Sequence, residues 1–218
     1  HAASFQPAVS EALALESVGL RWASGPAKLT SLLGEGQVVS VTGDEAQGVD
    51  SEDLAAWSRL SGQLDQFSDA LAPFWLKTMP RLARGGVNEI STFGKLVWKL
   101  RRLGKQNFRE FLRVFALPMR DLAEETLNNE PLKAVLAWDG LIGSRMAPRS
   151  PNNAVPLLLY RRSGRSVESP ANLLAALAAA AGKAGVEVRT NAPVSRLLIE
   201  CDARGQRVAG VALSDGES

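Results

Sequence analysis

Between Asp50 and Phe74 the chain commits itself to one long helix. Leu54, Trp57, Leu60, Leu64, Phe67, Leu71 and Phe74 recur at steps of three and four, which makes one continuous apolar stripe. Asp50 or Ser51 can cap the start, and Glu52 and Asp53 place negative charge in the first turn, where the helix dipole favours it. Pro80 and Gly85-Gly86 bound the segment. Such a stripe has to be covered by other elements, so the rest of the chain must build a core around it.

More helices follow. Near Thr92 to Leu103, Phe93, Leu96, Val97, Leu100 and Leu103 share one side while Lys95, Lys99 and Arg102 fall on the other. Phe108, Phe111, Leu112 and Phe115 continue the pattern opposite Arg109 and Arg113, until Pro118. Two further helices are expected near Arg120 to Asn128 and Pro131 to Ile142, the latter with Pro131 at its first position. Ser144 to Asn153 reads as a loop, and Val155 to Arg161 as a buried returning strand. Near the start, Gly19 to Ala23 and Gln37 to Thr42 are strand candidates, and Gly43 to Gly48 is a loop.

From Pro170 the pattern changes. Leu173, Leu174, Leu177 and Ala181 share a helical face, Ser169 and Pro170 suit its N-terminus, and Gly182 and Gly185 its exit. Three strands are expected after it: Val186 to Thr190, Pro193 to Glu200 and Arg207 to Leu213, the last two split at Asp202-Ala203-Arg204-Gly205. The chain then reaches Gly216-Glu217-Ser218 before a further hairpin strand could return, and it begins at His1 without a methionine. It therefore reads as a piece of something larger, with strand edges that invite self-association. The fold class expected is α+β, a helical region between two portions of mixed sheet. The expected divisions are a sheet portion at 1–49, a helical region at 50–143, a loop and returning strand at 144–168, and a helix-plus-strands unit at 169–218.

Several chemistries are excluded by composition. One histidine and one cysteine, His1 and Cys201, cannot form a zinc-type cluster and leave no disulfide within the chain. No Gly-x-Ser-x-Gly occurs, and the Gly-Lys pairs at Gly94, Gly104 and Gly182 lack the rest of a phosphate loop. Gly34-Glu35-Gly36 imitates a dinucleotide fingerprint, but a strand follows where that motif needs a helix, so it reads as a hairpin turn. No complete Rossmann unit is present. No apolar run approaches the roughly 20 residues of a membrane span. Charge is segregated: Lys77 to Arg120 carries eleven Lys or Arg against Glu89 and Glu110, a local +9 within a net +2. Such a field attracts anionic partners.

The run "NLLAALAAAAGKAGVEVRTNAPVSRLLIECDARGQRVAGVALSDGES" resembles the segment of phytoene-dehydrogenase-like FAD-dependent oxidoreductases, the relatives of carotenoid desaturases, that re-enters the flavin domain after the substrate domain. "NNEPLKAVLAWDGLIGSRMAPRSPNNAVPLLLYRR" and, more weakly, "SEALALESVGLRWASGPAKLTSLLGEGQVVSVTGD" are similar to the same family, most of all to its pyridine nucleotide-disulphide oxidoreductase domain protein two branch. The resemblance implies a substrate or cap region plus part of an FAD domain, from an enzyme that dehydrogenates or desaturates an apolar substrate. It implies FAD in the whole protein and none bound to this piece, which would be inactive without the missing FAD domain. It implies that Val194 lies beside the flavin adenine, and that Asp139, Arg145 and Met146 face the substrate chamber. Read without it, Val194 is a buried strand valine and Asp139 a solvated or capping carboxylate. One departure stands out: Val167-Glu168-Ser169-Pro170-Ala171-Asn172 occupies the place of the relatives' glycine-rich stretch, which removes close backbone approach to a ligand.

Trp22, Trp57, Trp75, Trp98 and Trp138 either line an apolar tunnel or are plain core. The rival reading of the chain is a non-catalytic interaction module. In it Lys95, Lys99, Arg102, Arg109 and Arg113 dock an anionic membrane surface or a protein partner. A nucleic-acid partner is not expected, because the aromatics among these residues follow a core period. The expected location is cytoplasmic or membrane-peripheral for a bacterial protein and mitochondrial for a eukaryotic one.

Overall fold

The computed structural model of the chain describes residues 4–32, 36, 38–77, 87–151, 154–202 and 205–214. The expectations for Gly34-Glu35, Pro80, Gly85-Gly86, Ala203-Arg204 and Gly216 to Ser218 lie outside these residues. The described residues fall into two compact units, His1–Leu177 and Ala178–Ser218. The fold is α+β, with eight α-helices and two small antiparallel sheets among the described residues.

The first unit is organised around α2, Ser51–Leu71, which at 21 residues runs about 32 Å. Asp50 caps it, its carboxylate accepting the Asp53 N–H at 2.8 Å. Trp57, Leu60, Leu64, Phe67 and Leu71 are buried along the expected stripe, whereas Leu54, in the first turn, is exposed. Two polar residues on the buried side are satisfied. Ser68 donates to the Leu159 carbonyl at 2.9 Å, and Asp53, almost wholly buried, accepts the Asn128 N–H at 2.7 Å.

One end of α2 is covered by a three-stranded sheet: β1 (Lys28–Leu32), β2 (Val38–Thr42) and β3 (Glu45–Gln47), in the order β1-β2-β3. Val39 and Val41 of β2 point into the core, with Ala46 of β3 beside them. The segment expected to be a loop at Gly43 to Gly48 thus contains the third strand. Gly48 has a positive φ of 83°, and a Cβ there would strike the Val38 carbonyl, so only glycine lets β3 turn away this close to β2. Before the sheet come α1, Pro7–Ala12, and a 3-10 turn at Leu15–Val18. Gly19 to Ala23 is not a strand: Trp22 makes one isolated bridge, to Val167.

The remaining helices wrap the other sides of α2. They are α3 (Val87–Arg101), α4 (Lys105–Ala116), α5 (Met119–Thr126), α6 (Glu130–Leu141) and α7 (Ala154–Arg162). Asn129 caps α6 by accepting the Leu132 N–H at 3.0 Å, which puts Pro131 second in the helix. The expected strand over Val155 to Arg161 is instead helix α7. Ala154, Val155, Leu158 and Leu159 are the buried residues, a spacing that fits one side of a helix, not the alternate faces of a strand. A short, wholly apolar run does not separate the two states, but Pro156 does. In the first turn of a helix its missing N–H costs nothing, whereas in a buried strand it would break the ladder.

Helix α8, Pro170–Lys183, crosses from the first unit into the second. Ser169 accepts the Asn172 N–H at 3.1 Å at its start. At its end Gly185, with φ 75°, lets the N–H groups of Gly185 and Val186 return to the Gly182 and Ala181 carbonyls, both at 3.0 Å. That is a Schellman closure. Of the expected face, Leu174 is exposed, and the buried residue is Ala176. The alternation at Val186 to Thr190 does not become a strand, because no described segment pairs with it and extended backbone needs a partner to count as sheet. Two strands follow rather than three: β4 (Val194–Asp202) and β5 (Gly205–Leu213), paired antiparallel.

Candidate functional site

A cleft of about 280 Å³ opens in the first unit where β1, β2, α2, α6 and α7 converge. Leu29, Val41, Trp57, Val135, Leu136 and Leu158 form its apolar walls, and Asp65, Asp139, Arg161 and Arg162 supply its charge. Glycine makes the packing behind it close: a Cβ on Gly140 would strike Met119 and come within 2.8 Å of the Ala154 carbonyl, so α6 and the start of α7 meet only because that residue is glycine.

The two arginines come from the last turn of α7 and tie the helices together. Arg161 donates to the Asp139 carbonyl at 2.9 Å and to the Ile142 carbonyl, which satisfies the open end of α6 with a cation where the helix dipole is negative. Arg162 reaches α2, donating to the Asp65 carboxylate at 2.8 Å and to the Ser61 hydroxyl at 2.6 Å. The Trp57 indole N–H is likewise engaged, donating to the Gly43 carbonyl at 3.2 Å.

Asp139 differs from its neighbours. Its carboxylate accepts no hydrogen bond from any described residue. Burial pushes its proton affinity above the ordinary aspartate range, and the nearby Arg162 and Arg161 guanidinium groups pull it back only in part. The arrangement is a cleft with one apolar wall and one charged wall, holding one acceptor that no described residue engages.

Of the residues expected to face a substrate, the cleft takes Asp139 alone. Arg145 is exposed and Met146 is packed on the core, both in the turn-rich segment after α6 and neither on the cleft lining. Val194 opens β4 opposite Leu213 and is 54% exposed. Asp65, Arg161 and Arg162 were not singled out by sequence reasoning. A helical reading of Val155 to Arg161 would have placed the two arginines at a helix end, where cations complete carbonyls.

The basic helices carry a second surface. Lys95, Arg102 and Arg109 are exposed and Lys99 is half-buried. The Arg102 guanidinium lies 4.7 Å from the centre of the Trp98 ring, and Trp98 is 60% exposed. Phe111, by contrast, is buried against Phe67, and Phe108 is half-buried. Arg113 is bound by Glu110 at 2.6 Å and by Glu125, and the pairing with Arg113 holds the Glu110 carboxyl below its usual range. Among the described residues, no helix is long and apolar enough to cross a membrane and no three His, Cys, Asp or Glu residues stand together as a metal site.

No protein-family model matches the chain, and no solved structure matches it. Over an alignment 137 residues long that covers 59% of the chain, it is 28% identical to the Mus musculus protein named pyridine nucleotide-disulfide oxidoreductase domain-containing protein 2. The Rattus norvegicus protein of the same name matches at the same identity over the same length. The match spans 23% of these relatives' own length. The similarity is distant and to an oxidoreductase domain protein. The residues described here do not form a dinucleotide cradle: every strand pair is antiparallel, and no strand-helix-strand crossover of the FAD-binding type occurs among them. In the first turn of α8, Asn172 accepts the Arg21 N–H at 2.8 Å and donates to the Gly19 carbonyl at 2.9 Å.

Proposed function

We propose that this chain is the substrate-side portion of an FAD-dependent oxidoreductase that dehydrogenates or desaturates an apolar substrate, with the flavin held by polypeptide other than these residues. The observation that carries the reading is the cleft itself. One part of its wall is apolar, the other part charged, and it holds one half-buried acceptor that no described residue engages, in a chain whose detectable relatives are named as oxidoreductase domain proteins. Leu29, Val41, Val135 and Leu158 exclude water and receive the carbon body, and Asp139 orients it. No residue of this chain is assigned to the redox step. The test is spectroscopic. The full-length protein that contains this segment, purified with FAD, is expected to be yellow, whereas this chain alone is expected to stay colourless. A yellow preparation of the chain alone, or a full-length protein that takes up no FAD, defeats the reading.

A second reading is favoured by the exposure of Trp98 between Lys95 and Arg102: a surface that docks an anionic bilayer. With Phe111 buried, the attraction is mainly electrostatic, about 1 kcal/mol per basic residue near the surface, and fades with salt. Co-sedimentation with anionic vesicles at low and high salt tests it, and absence of binding at low salt ends it.

A further inference from the structure

Four charged side chains line the cleft, and three of them are already engaged within the fold. Arg162 is held by Asp65 and Ser61, and Arg161 by the two carbonyls at the end of α6. Only the Asp139 carboxylate is half withdrawn from water with no donor from the described residues to compensate. A half-buried acceptor in that condition gains when a ligand both brings it a donor and displaces the water beside it. The donor's charge is constrained by the neighbours. A cation beside Asp139 would also face Arg161 and Arg162, and an anion would face Asp65 and Asp139. The four formal charges cancel, so a neutral donor meets neither penalty. The carbon body has somewhere to go: a second hollow of about 280 Å³, lined by Thr30, Ser31, Ala134 and Trp138, shares Leu29 and Val135 with the cleft and is mostly apolar.

We propose that the cleft selects a neutral, largely apolar alcohol, whose hydroxyl donates to Asp139 while its chain lies against Leu29, Val41, Val135 and Leu136. This names the substrate class of the site and rests on the reading that the cleft is the substrate site. Hydrocarbons lacking the hydroxyl fit the walls but leave Asp139 unpaired, and are discriminated against for that reason.

The test measures binding to this chain alone, by titration calorimetry and by Trp57 fluorescence, so it does not depend on a flavin. The probes are 1-octanol, heptyl methyl ether of the same heavy-atom count, and octylammonium. Octanol should bind saturably, and the ether about tenfold more weakly, as expected when one hydrogen bond to a charged acceptor is lost. Octylammonium should also bind more weakly than octanol. Asp139→Leu should make octanol and ether equivalent, with unchanged far-UV circular dichroism. If that variant does not fold, the nearly isosteric Asp139→Asn serves: its amide can donate to the ether oxygen, so the preference for octanol should collapse. Equal binding of ether and octanol to the unmodified chain overturns the proposal. So does tighter binding of octylammonium, no saturable binding of any probe, or a preference that survives both substitutions. Any of these leaves the oxidoreductase reading standing, since that is judged on flavin uptake by the full-length protein.

Discussion

The two sheets use nearly the same residues to opposite effect. In β2 the alternation Val38, Val39, Ser40, Val41 sends Val39 and Val41 into the core, at 1% and 4% exposure. In β4 and β5, Leu197, Ile199 and Val208 are as apolar and remain between 56% and 59% exposed. The hairpin is paired along both strands apart from irregularities at Val194/Arg196 and Leu198/Ile199, so a lack of backbone pairing does not explain the difference. Coverage does: β2 faces α2 and α6, and a two-stranded ribbon by itself has no second layer to bury an apolar face. Alternation in a sequence specifies which side of a strand is apolar, not whether anything lies against it.

The sharpest way to break that comparison is to truncate one side chain in each region. Phe67→Ala should cost about 3–5 kcal/mol in urea unfolding, because Phe67 is fully buried and touches Phe111 edge-on. Ile199→Ala should change stability by less than about 0.5 kcal/mol, as exposed positions do. Equal losses would mean that the hairpin face is covered after all. A smaller effect probes the polar side of the covered unit: Asp53→Ala removes the buried carboxylate that caps the Asn128 N–H and should cost about 1–3 kcal/mol.

Asp139 offers a test by pH. Burial raises its folded proton affinity above the unfolded value, so the folded state holds the proton more tightly. Stability from this group is therefore fully present below the ordinary aspartate range, about pH 4, and is lost as pH rises through the raised folded value. The groups around it, Asp65, Arg161 and Arg162, are themselves tied to one another or to carbonyls. Unfolding of D139N should lack that decline above about pH 4, and parallel curves for the two proteins would contradict it. The least change in unfolding free energy is expected from Ile199→Lys with Val208→Lys. Self-association at high concentration should nevertheless fall, as read by sedimentation velocity, because charge on an exposed apolar strand face opposes pairing between copies. An unmodified chain that stays monomeric would show that the exposed face does not drive assembly.

Helix periodicity carried most of what was legible in the sequence. The α2 stripe, its Asp50 cap, the basic helices, the α6 span and the α8 exit all follow from local spacing and capping chemistry, and these are properties of a few adjacent residues. What failed was whatever depended on a distant partner. Val186 to Thr190 alternates and joins no sheet among the described residues, and Val155 to Arg161 is apolar enough for either state, with Pro156 the clue that decides it. The site shows the same division. Asp139 was legible only through resemblance, and its neighbours Asp65, Arg161 and Arg162 meet it because α2 and α7 pack side by side, 97 positions apart at the Asp65–Arg162 contact. No spacing rule spans that distance.

Such distances also set an order of events in folding. The first residues of the chain are clasped by the segment just before α8. Phe5 and Arg165 exchange backbone hydrogen bonds, Arg21 pairs with Glu168 across 147 positions, and the Arg21 N–H reaches Asn172 across 151. None of these contacts can form until the chain has been made as far as Arg165. Closing a loop that long is entropically costly until the helices between have already condensed and brought its ends together. The clasp is thus the last part of the first unit to lock. Because its side-chain contacts are largely exposed, it should also be the first to open, exchanging its amide protons ahead of α2 and loosening the Ser4, Gly164 and Ser166 side of the cleft.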